Sequence, residues 1–341
     1  MKAPGAPDSR RSTRTIGDIA RLAGVSAPTV SRVLNGRAGV SAQTRALVEG
    51  LLRDHGYRRQ EGRQQLNILE LVFHALDSPW ALPIIQGVEE VARGQGLAVV
   101  LTEMQGRLTP GRAWTEQVLE RRPTGVIAVF SELTEKQQTQ LATRNIPLVV
   151  IDPTGEPLHD TPSVGATNWS GSLVATRHLL ELGHRRIAMA RGPQEWPCCR
   201  ARYDGYRAAL DLAGIKPDSF LTPVDTLYVE GGERIGTVLL TLAEPPTAIV
   251  TTNDLQALGV YQAARRDGVR IPEDLSVVGF DDIQFAQWAG PPMTTVRQPL
   301  RDMGITAAEM VVALAAGETL RQTRVELATT LMVRDSTGRP H

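Results

Sequence analysis

Cysteine is almost absent from the chain, which has only Cys198 and Cys199 among its 341 residues. Adjacent cysteines rarely bridge, so we expect no disulfide framework and a reducing compartment. No apolar run approaches the roughly 18 residues that a membrane span needs. Residues 1–14 are polar and rich in Pro and Arg, without the apolar stretch of a secretory signal. These absences predict a protein that stays in the cytoplasm and has no membrane partner.

Signatures of enzymes and metal sites are also missing. The chain has no G-x-S-x-G elbow, no phosphate-binding P-loop and no metal-spaced cluster among its six scattered His residues. Gly94-Gln95-Gly96 precedes a β-rich run instead of following one, so it is a turn and not a dinucleotide fingerprint. Cys198 and Cys199 are either a redox or metal pair or small residues beside a pocket. We therefore expect no catalysis, no cofactor and no metal.

Net charge is zero, but the charges are unevenly distributed along the chain. Residues 1–63 contain 12 Arg or Lys against 5 Asp or Glu, whereas the remainder contains 25 against 32. A basic end is a candidate DNA-facing part, although Arg10, Arg11 and Arg14 alone fit a solvated tail equally well. The length suits a small module followed by a large one, and 42% hydrophobic with 22% charged residues is typical of a globular protein.

The basic end has the pattern of three short helices. Thr15 can cap the first helix, and Gly24 supplies the positive φ angle that ends it. Ser26 can cap a second helix that runs to about Leu34, and a third is expected over about 42–55. The apolar residues expected to form a shared core are Ile16, Ile19, Ala20, Ala23, Val30, Val33, Leu34, Leu47, Val48, Leu51 and Leu52. The pattern fits a helix-turn-helix, but composition alone fits a three-helix bundle without a DNA role equally well.

The exact order of residues in this basic end separates the two alternatives. It reads Thr15-Ile-Gly-Asp-Ile-Ala-Arg-Leu-Ala-Gly-Val-Ser-Ala-Pro-Thr-Val-Ser-Arg-Val-Leu-Asn-Gly36, followed by Val40-Ser-Ala-Gln-Thr-Arg45 and His55-Gly-Tyr57. It closely resembles the start of the lactose/galactose repressor (LacI/GalR) family. The resemblance implies a flexible tail over 1–14 and a helix-turn-helix DNA-binding domain over 15–57. It also implies a homodimer, or a tetramer, on a pseudo-palindromic operator.

The same resemblance assigns DNA contacts to particular residues. The base-reading positions match Ala27, Pro28 and Arg32 on the second helix. Arg can donate a bidentate pair to guanine, whereas Ala and Pro offer only apolar contact, so Arg32 is expected to be the main specificity residue. Residues expected to bind phosphate and fix the register without reading sequence are Thr15, Ser26, Thr29, Ser31 and Thr44.

The linker, expected over 58–67, departs from the family pattern because the usual Pro and Asn after the Tyr are missing. Leu66 stands where the family's minor-groove wedge is expected, or it is the opening residue of the first strand. Arg58, Arg59 and Arg63 could grip phosphate or follow the minor groove as a flexible arm.

From residue 67 onward, short β-rich runs alternate with helical patterns, which predicts parallel β-α-β units. The expected strands are 68–73, 98–101, 126–130, 148–151, 187–190, 227–229, 248–252 and 276–280. The expected helices are 84–93, 114–121, 135–144, 173–182, 202–213, 235–242 and 255–267. Two successive α/β halves predict two lobes within residues 68–341, with a ligand cleft at the carboxyl ends of their strands.

Family strings recur in this part of the chain. They are Leu182-Gly-His-Arg-Arg-Ile187, Asn253-Asp254, Val277-Val-Gly-Phe-Asp-Asp282 and Pro291-Pro-Met-Thr-Thr-Val-Arg-Gln-Pro299. The resemblance thus covers roughly residues 15–334. It implies a periplasmic-binding-protein type I fold with doubly wound parallel sheets. The first lobe is expected over about 68–165 plus 294–322, and the second over about 166–292 plus 323–341.

The resemblance places a small sugar-like effector on Asp152, Arg202 and Asp254, since carboxylates and an Arg grip the hydroxyls of a polyol. Asp254 could also cap the following helix, and Arg202 could be a surface ion pair. Further candidates, which could equally pack in the core or at the rim, are Phe73, Asp77, Trp80, Asn168, Trp196 and Arg200.

Two alternative functions are a sugar-binding protein and an α/β sugar enzyme such as a kinase, both without a DNA role. The absent signal peptide and the attached helix-turn-helix count against the first. The absence of phosphate-cradling glycines counts against the second. The sequence therefore favours a transcription regulator, and among regulators it favours a repressor.

Overall fold

The computed structural model describes residues 16–34, 39–54, 66–131, 133–152, 161–216 and 218–341. A helical head is followed by two α/β lobes. The helices of the head are α1 (Ile16–Ala23), α2 (Ala27–Leu34) and α3 (Ala42–Asp54). Thr15, Arg58, Arg59 and Arg63, to which the sequence assigns DNA contacts, lie outside the described residues.

The head is held together by one small apolar core. Its most buried members are Ile19, Ala20, Val30, Val33, Val48 and Leu52. Gly24 has a φ angle of 65°, which ends α1 as the sequence predicts. The predicted core is confirmed except at Leu47, whose residue surface is 51% exposed. Leu47 lies one turn before the half-buried Leu51, at the edge of the apolar stripe of α3.

The first lobe is built on a six-stranded parallel sheet in the order β10-β5-β4-β3-β1-β2. Its strands are β1 (Leu66–Phe73), β2 (Ala98–Glu103), β3 (Pro123–Val129), β4 (Leu148–Ile151), β5 (Ser163–Ala166) and β10 (Arg324–Leu327). One face is covered by α4 (Ala81–Gly94) and α11 (Leu300–Ala315), the other by α5 (Arg112–Arg121) and α6 (Glu135–Ala142). Apolar residues pack on both faces, so β1, β3 and β4 are nearly continuous hydrophobic runs.

The second lobe has a five-stranded sheet in the order β11-β9-β8-β7-β6, in which β11 is antiparallel to β9. Its strands are β6 (Ile187–Ala190), β7 (Ala248–Thr251), β8 (Ser276–Asp281), β9 (Thr294–Arg297) and β11 (Thr330–Met332). One face is covered by α7 (Asn168–Glu181) and α8 (Pro197–Leu212), the other by α9 (Val229–Leu240) and α10 (Asp254–Arg266). This arrangement confirms the predicted pair of doubly wound α/β sheets.

Two predictions about the lobes are wrong. The expected lobe bounds misplace two strands, because β9 pairs with β8 in the second lobe and β10 pairs with β5 in the first. The expected strand over 227–229 is the extended Tyr228 followed by the first turn of α9. Local patterns do not record which distant segment a short strand pairs with, and a three-residue run fits a helix start equally well.

The chain passes between the lobes three times, through residues 167, 298–299 and 328–329. Two of these crossings are bonded together, since the Thr329 backbone N–H donates to Thr167 Oγ1 at 2.9 Å. Among the described helices, none is both long and apolar enough to cross a bilayer.

Candidate functional site

The head presents the exposed face of α2. Ala27, Pro28 and Arg32 are exposed, whereas Val30 and Val33 on the opposite face are buried. The side chains predicted to read bases therefore share a surface that the core of the head does not use. An α-helix with such a face fits the major groove of B-DNA.

Hydroxyl caps fix the start of α2 and of α3. Ser26 Oγ accepts a hydrogen bond from the Thr29 backbone N–H at 3.3 Å and is 2.8 Å from Thr29 Oγ1. Ser41 Oγ likewise accepts from the Thr44 backbone N–H at 3.1 Å and donates to Thr44 Oγ1 at 2.8 Å. The capping prediction for Ser26 is confirmed. Ser31 is half-buried on the same helix.

Leu66 opens β1, which confirms the second of the two alternatives for this residue. Its backbone N–H donates to the Arg122 carbonyl at 3.2 Å, and its carbonyl accepts from Thr124 Oγ1 at 3.3 Å. The sheet fixes the Leu66 backbone, so Leu66 is assigned to the first lobe and not to the minor groove.

A cleft lies between the lobes, at the carboxyl ends of their strands. The residues at its wall come from both lobes: His74, Ala75, Asp77, Ser78, Trp80, Phe130, Asp152, Trp196, Cys198, Arg202, Leu227, Tyr228, Asn253, Leu255, Asp281 and Gln298. The position confirms the expectation from the strand order. Phe130, Asp152 and Asp281 directly follow or end strands and have φ angles of 50°, 44° and 112°. Such backbone conformations are unfavourable for residues other than glycine and concentrate at functional sites.

Arg202 is the positive group of the cleft and is only 5% exposed. Its Nε donates to Asn168 Oδ1 at 2.8 Å, and its Nη1 donates to the Thr252 carbonyl at 2.6 Å. Its guanidinium carbon lies 3.8 Å from the centroid of the Phe280 ring. Arg202 is therefore a buried, oriented cation and not a surface ion pair.

Asp152 and Asp281 are the negative groups. Asp281 Oδ1 accepts from Gln298 Nε2 at 2.6 Å and lies 3.5 Å from Arg202 Nη1. Burial raises the pKa of each carboxyl to about 6, against the opposing effect of Arg202. A cation and two carboxylates in the wall of one cleft give both donors and acceptors to a polyhydroxylated ligand.

Aromatic rings form the other part of the cleft wall. Trp196, from the second lobe, contacts Phe130 of the first with ring centroids 4.7 Å apart and an interplanar angle of 89°. His74 lies 6.2 Å from Trp196, and Trp80 lies 6.1 Å from Phe130. Burial and the nearby Asp77 carboxylate of the first lobe raise the pKa of Tyr228 of the second. The lobes thus contact each other across the cleft in this conformation.

Three polar groups in the cleft lack hydrogen-bond partners in the part of the chain that the structure describes. Trp196 Nε1 and Gln298 Oε1 are buried and unsatisfied. The carboxylate of Asp152, a residue 9% exposed, makes no hydrogen bond to any described residue. Unsatisfied polar atoms inside a cleft are the groups that a polar ligand would complete.

Five of the nine predicted effector residues line the cleft: Asp77, Trp80, Asp152, Trp196 and Arg202. Phe73 does not, because it is fully buried in the core of the first lobe. Arg200 Nη1 donates to the carbonyls of Gln194 and Glu195 outside the cleft wall. Asn168 lines a neighbouring cavity and orients Arg202 through its side-chain oxygen.

Asp254 does not line the cleft, contrary to the sequence prediction. It is 1% exposed, and its two carboxylate oxygens accept from the Ile283 backbone N–H at 2.9 Å and from Thr295 Oγ1 at 2.6 Å. It does not cap α10 either, since Asn253 accepts from the Gln256 backbone N–H at 2.9 Å. Asp254 therefore ties the segment after β8 to β9, while Asn253 of the same pair reaches the cleft.

The sequence prediction missed His74, Phe130, Tyr228, Asn253, Asp281 and Gln298. Four of these could have been found, because His74, Phe130, Asn253 and Asp281 lie at or just after the carboxyl end of a strand. Gln298 lies in a crossing between lobes, where no local pattern indicates a ligand site.

Comparison with known proteins decides the family. Residues 15–60 match the bacterial regulatory proteins of the lacI family, and residues 176–337 match a periplasmic binding protein-like domain. The ribose operon repressor of Escherichia coli K12 is 32% identical over 331 residues, which span 94% of this chain and 99% of the relative. The chain belongs to the LacI family.

Solved structures of other regulators resemble this LacI-family protein over nearly its whole length. The complex of the transcriptional regulator CelR with cellobiose has a TM-score of 0.72 and 32% identity, covering 95% of this chain and 99% of that chain. The lac repressor dimer bound to operator and the anti-inducer ONPF has a TM-score of 0.69 and 27% identity, covering 96% and 100%. The relatives named here are regulators of transcription.

Proposed function

We propose that this LacI-family regulator is a homodimeric repressor that binds an operator through α2 and a sugar-like effector in the cleft between its lobes. The observation that carries the proposal is the joint presence of an exposed α2 face and a cleft lined by Arg202, Asp152 and Asp281. A repressor that binds chromosomal DNA acts in the bacterial cytoplasm.

On the DNA side, Arg32 is the residue we assign to base reading. It is exposed one turn beyond Pro28 and Ala27, on the face of α2 that carries no core residue. Its guanidinium can donate two parallel hydrogen bonds to guanine O6 and N7. Ser26, Thr29, Ser31 and Thr44 are assigned to phosphate positioning. Ser26, Thr29 and Thr44 lie at helix starts, and Ser31 lies within α2.

On the effector side, the cleft has a charged part and an aromatic part. Asp152, Asp281 and Arg202 suit vicinal hydroxyls, and the rings of Phe130 and Trp196 suit the apolar face of a sugar. CelR is described with cellobiose and another LacI-family regulator with ribose, at 32% and 24% identity. The lining of the cleft and the ligands of these relatives favour a mono- or disaccharide over a lipid or a large anion.

Coupling between the two sites is assigned to the lobe crossings. Gln298 lies in one crossing, lines the cleft, and donates to Asp281. A ligand bonded to Gln298 and to both lobes would fix the angle between them, and with it the separation of the two heads of a dimer. The effector can shift operator affinity only by its difference in affinity for the two lobe arrangements.

A gel-shift titration tests the DNA role. The full chain is titrated against the region upstream of its own gene at two salt concentrations, with unrelated DNA of equal length as the control. We expect a specific complex whose affinity falls with salt through phosphate contacts. No specific complex at either salt concentration would instead favour a sugar-binding protein or a sugar enzyme.

Thermal unfolding in the presence of ribose, cellobiose and other sugars tests the effector role. A ligand that binds only the folded form raises the apparent stability, by about 2.7 kcal/mol at a hundred times its Kd. Asp152→Asn should abolish the shift, while Glu326→Gln, a carboxylate of the neighbouring cavity, should keep it. A shift that survives in Asp152→Asn would place the sugar elsewhere.

A further inference from the structure

Cys198 brings a thiol into the effector cleft. It follows Pro197 in the first turn of α8, is half-buried, and lines both the cleft and the neighbouring cavity. Cys199, the next residue, is only 4% exposed and packs against Gly192. The two adjacent sulfurs thus differ in access, since one reaches a ligand-sized space and the other is enclosed by protein.

The surroundings of Cys198 favour its thiolate. The adjacent Cys199 thiol lowers the pKa of Cys198, and the Arg202 guanidinium acts in the same direction. Burial, Asp152 and Asp281 act against it. The Cys198 side chain and burial raise the pKa of the Cys199 thiol. The accessible sulfur is therefore the reactive one of the pair, since the thiolate is the nucleophile.

Two further polar groups in the wall of the same cleft lack a hydrogen-bond partner within the described part of the chain and so favour a small polar ligand there. Asp152 is more than nine-tenths buried, without a hydrogen bond to any described residue, and it lines the same two cavities as Cys198. Gln298 is 7% exposed with Oε1 unsatisfied, and it lines the cleft. Both observations are independent of the thiol.

We propose that Cys198 is a covalent modification site for peroxides in the effector cleft, and that its modification blocks the effector. The Cys198 thiolate attacks one oxygen of hydrogen peroxide, the O–O bond breaks, and an S–O bond forms. The departing hydroxide takes a proton to become water, and the sulfur is left as sulfenic acid. Sulfur is oxidised, peroxide is reduced, and the added oxygen occupies space beside Asp152 and Arg202.

Cys199 does not convert this product into a disulfide. Consecutive Cα atoms lie about 3.8 Å apart across a trans peptide, whereas disulfides usually need about 4.4–6.8 Å between Cα atoms. Both residues also lie in the first turn of α8. The oxidised form is therefore a sulfenic acid that an external thiol reduces, and its regulatory effect is reversible.

The reactivity is tested without any effector. The full-length chain is treated with hydrogen peroxide and then with dimedone, which traps sulfenic acid, and the adducts are located by peptide mass spectrometry. We expect an adduct at Cys198 that persists in Cys199→Ser and is lost in Cys198→Ser. An adduct at Cys199 alone, no adduct, or loss of two hydrogens from the pair, which would indicate a disulfide, would overturn the proposal.

The consequence for the effector rests on the proposed function, and it is tested separately. Thermal shifts with ribose and cellobiose are measured before and after peroxide, and again after dithiothreitol. Peroxide should remove the shift of the wild-type chain, dithiothreitol should restore it, and the shift of Cys198→Ser should be the same with and without peroxide. A wild-type shift that survives complete Cys198 oxidation would refute the block. A cysteine adduct with no sugar shift in any sample would refute the proposed effector instead.

Discussion

Arg32 should set the sequence preference of the head, because it is the one long hydrogen-bond donor on the described exposed face of α2. Arg32→Ala should weaken binding to the cognate operator by about 1–3 kcal/mol and relax the preference at one base pair. Fluorescence anisotropy with operators substituted one base pair at a time measures both effects. Arg21→Ala, on the exposed side of α1, is the control. If Arg32→Ala weakens binding equally for every sequence, Arg32 is a phosphate contact.

Asp281 should make the stability of the second lobe depend on pH. Burial raises its pKa to about 6 from an ordinary value near 3.8, so the folded state holds the proton more tightly than the unfolded state. The stability that it contributes is complete below about pH 3.8 and is lost as the pH rises through about 6. Asp281→Asn removes this loss, so the variant should become more stable relative to wild type between about pH 4 and about pH 6.

Urea unfolding at a series of pH values measures that difference in the free energy of unfolding. Asp211→Asn, at the exposed end of α8, is the control for replacing a surface Asp by Asn. A difference between Asp281→Asn and wild type that stays constant with pH would show that Asp281 keeps an ordinary pKa in the folded protein.

Asp254 shows why residue type and position along a strand did not fully predict the cleft. Asn253 and Asp254 follow β7 directly, where a ligand site is expected, yet only Asn253 lines the cleft. Asp254 begins α10, and its side chain turns back toward the segments after β8 and in β9. The partners that orient it, Ile283 and Thr295, are distant in sequence, so no local pattern could have distinguished it from a ligand residue.

Glycines set the spacing between paired helices. Gly259 of α10 has no room for a side chain, because a Cβ there would overlap the Val229 carbonyl oxygen and the Glu233 nitrogen of α9. Gly259→Ala should therefore push α9 and α10 apart and destabilise the second lobe by about 1–3 kcal/mol or more. Chemical denaturation measures the change. Gly94→Ala, at an open position at the end of α4, should leave stability nearly unchanged. Equal stability of the two variants would contradict the close α9–α10 packing.

Elements were predictable where a β-rich run stood between clear helices. The runs at 148–151 and 187–190 match β4 and β6 at both ends, since they are short, apolar and buried on both faces. No element was predicted beyond residue 282, although β9, α11, β10 and β11 lie there. These elements follow the lobe crossings, and their strands are defined by pairing with distant segments instead of by their own pattern. Of the aromatic wall, only Trp80 and Trp196 were predicted, because its rings come from both lobes.

At the scale of the whole molecule, the described surface carries a pair of exposed aromatic rings suited to contact with a second copy of the chain. Phe285 and Trp288, on the short turn after β8, are 47% and 66% exposed, and their ring centroids lie 5.9 Å apart. Exposed aromatic pairs are characteristic of protein interfaces. Because two heads must read two half-sites, dimer formation should also determine operator affinity.

Trp288→Asp should therefore convert the dimer to a monomer and weaken operator binding by on the order of a hundredfold or more, since the second head no longer gains from the first. Sedimentation velocity at concentrations that saturate the operator measures the assembly, and gel shift measures the affinity. Leu212→Asp, at a single apolar side chain 75% exposed at the end of α8, tests whether any exposed apolar-to-acidic change has this effect. A Trp288→Asp variant that remains dimeric would move the interface elsewhere, and a wild-type monomer bound to the full operator would contradict the two-headed mechanism itself.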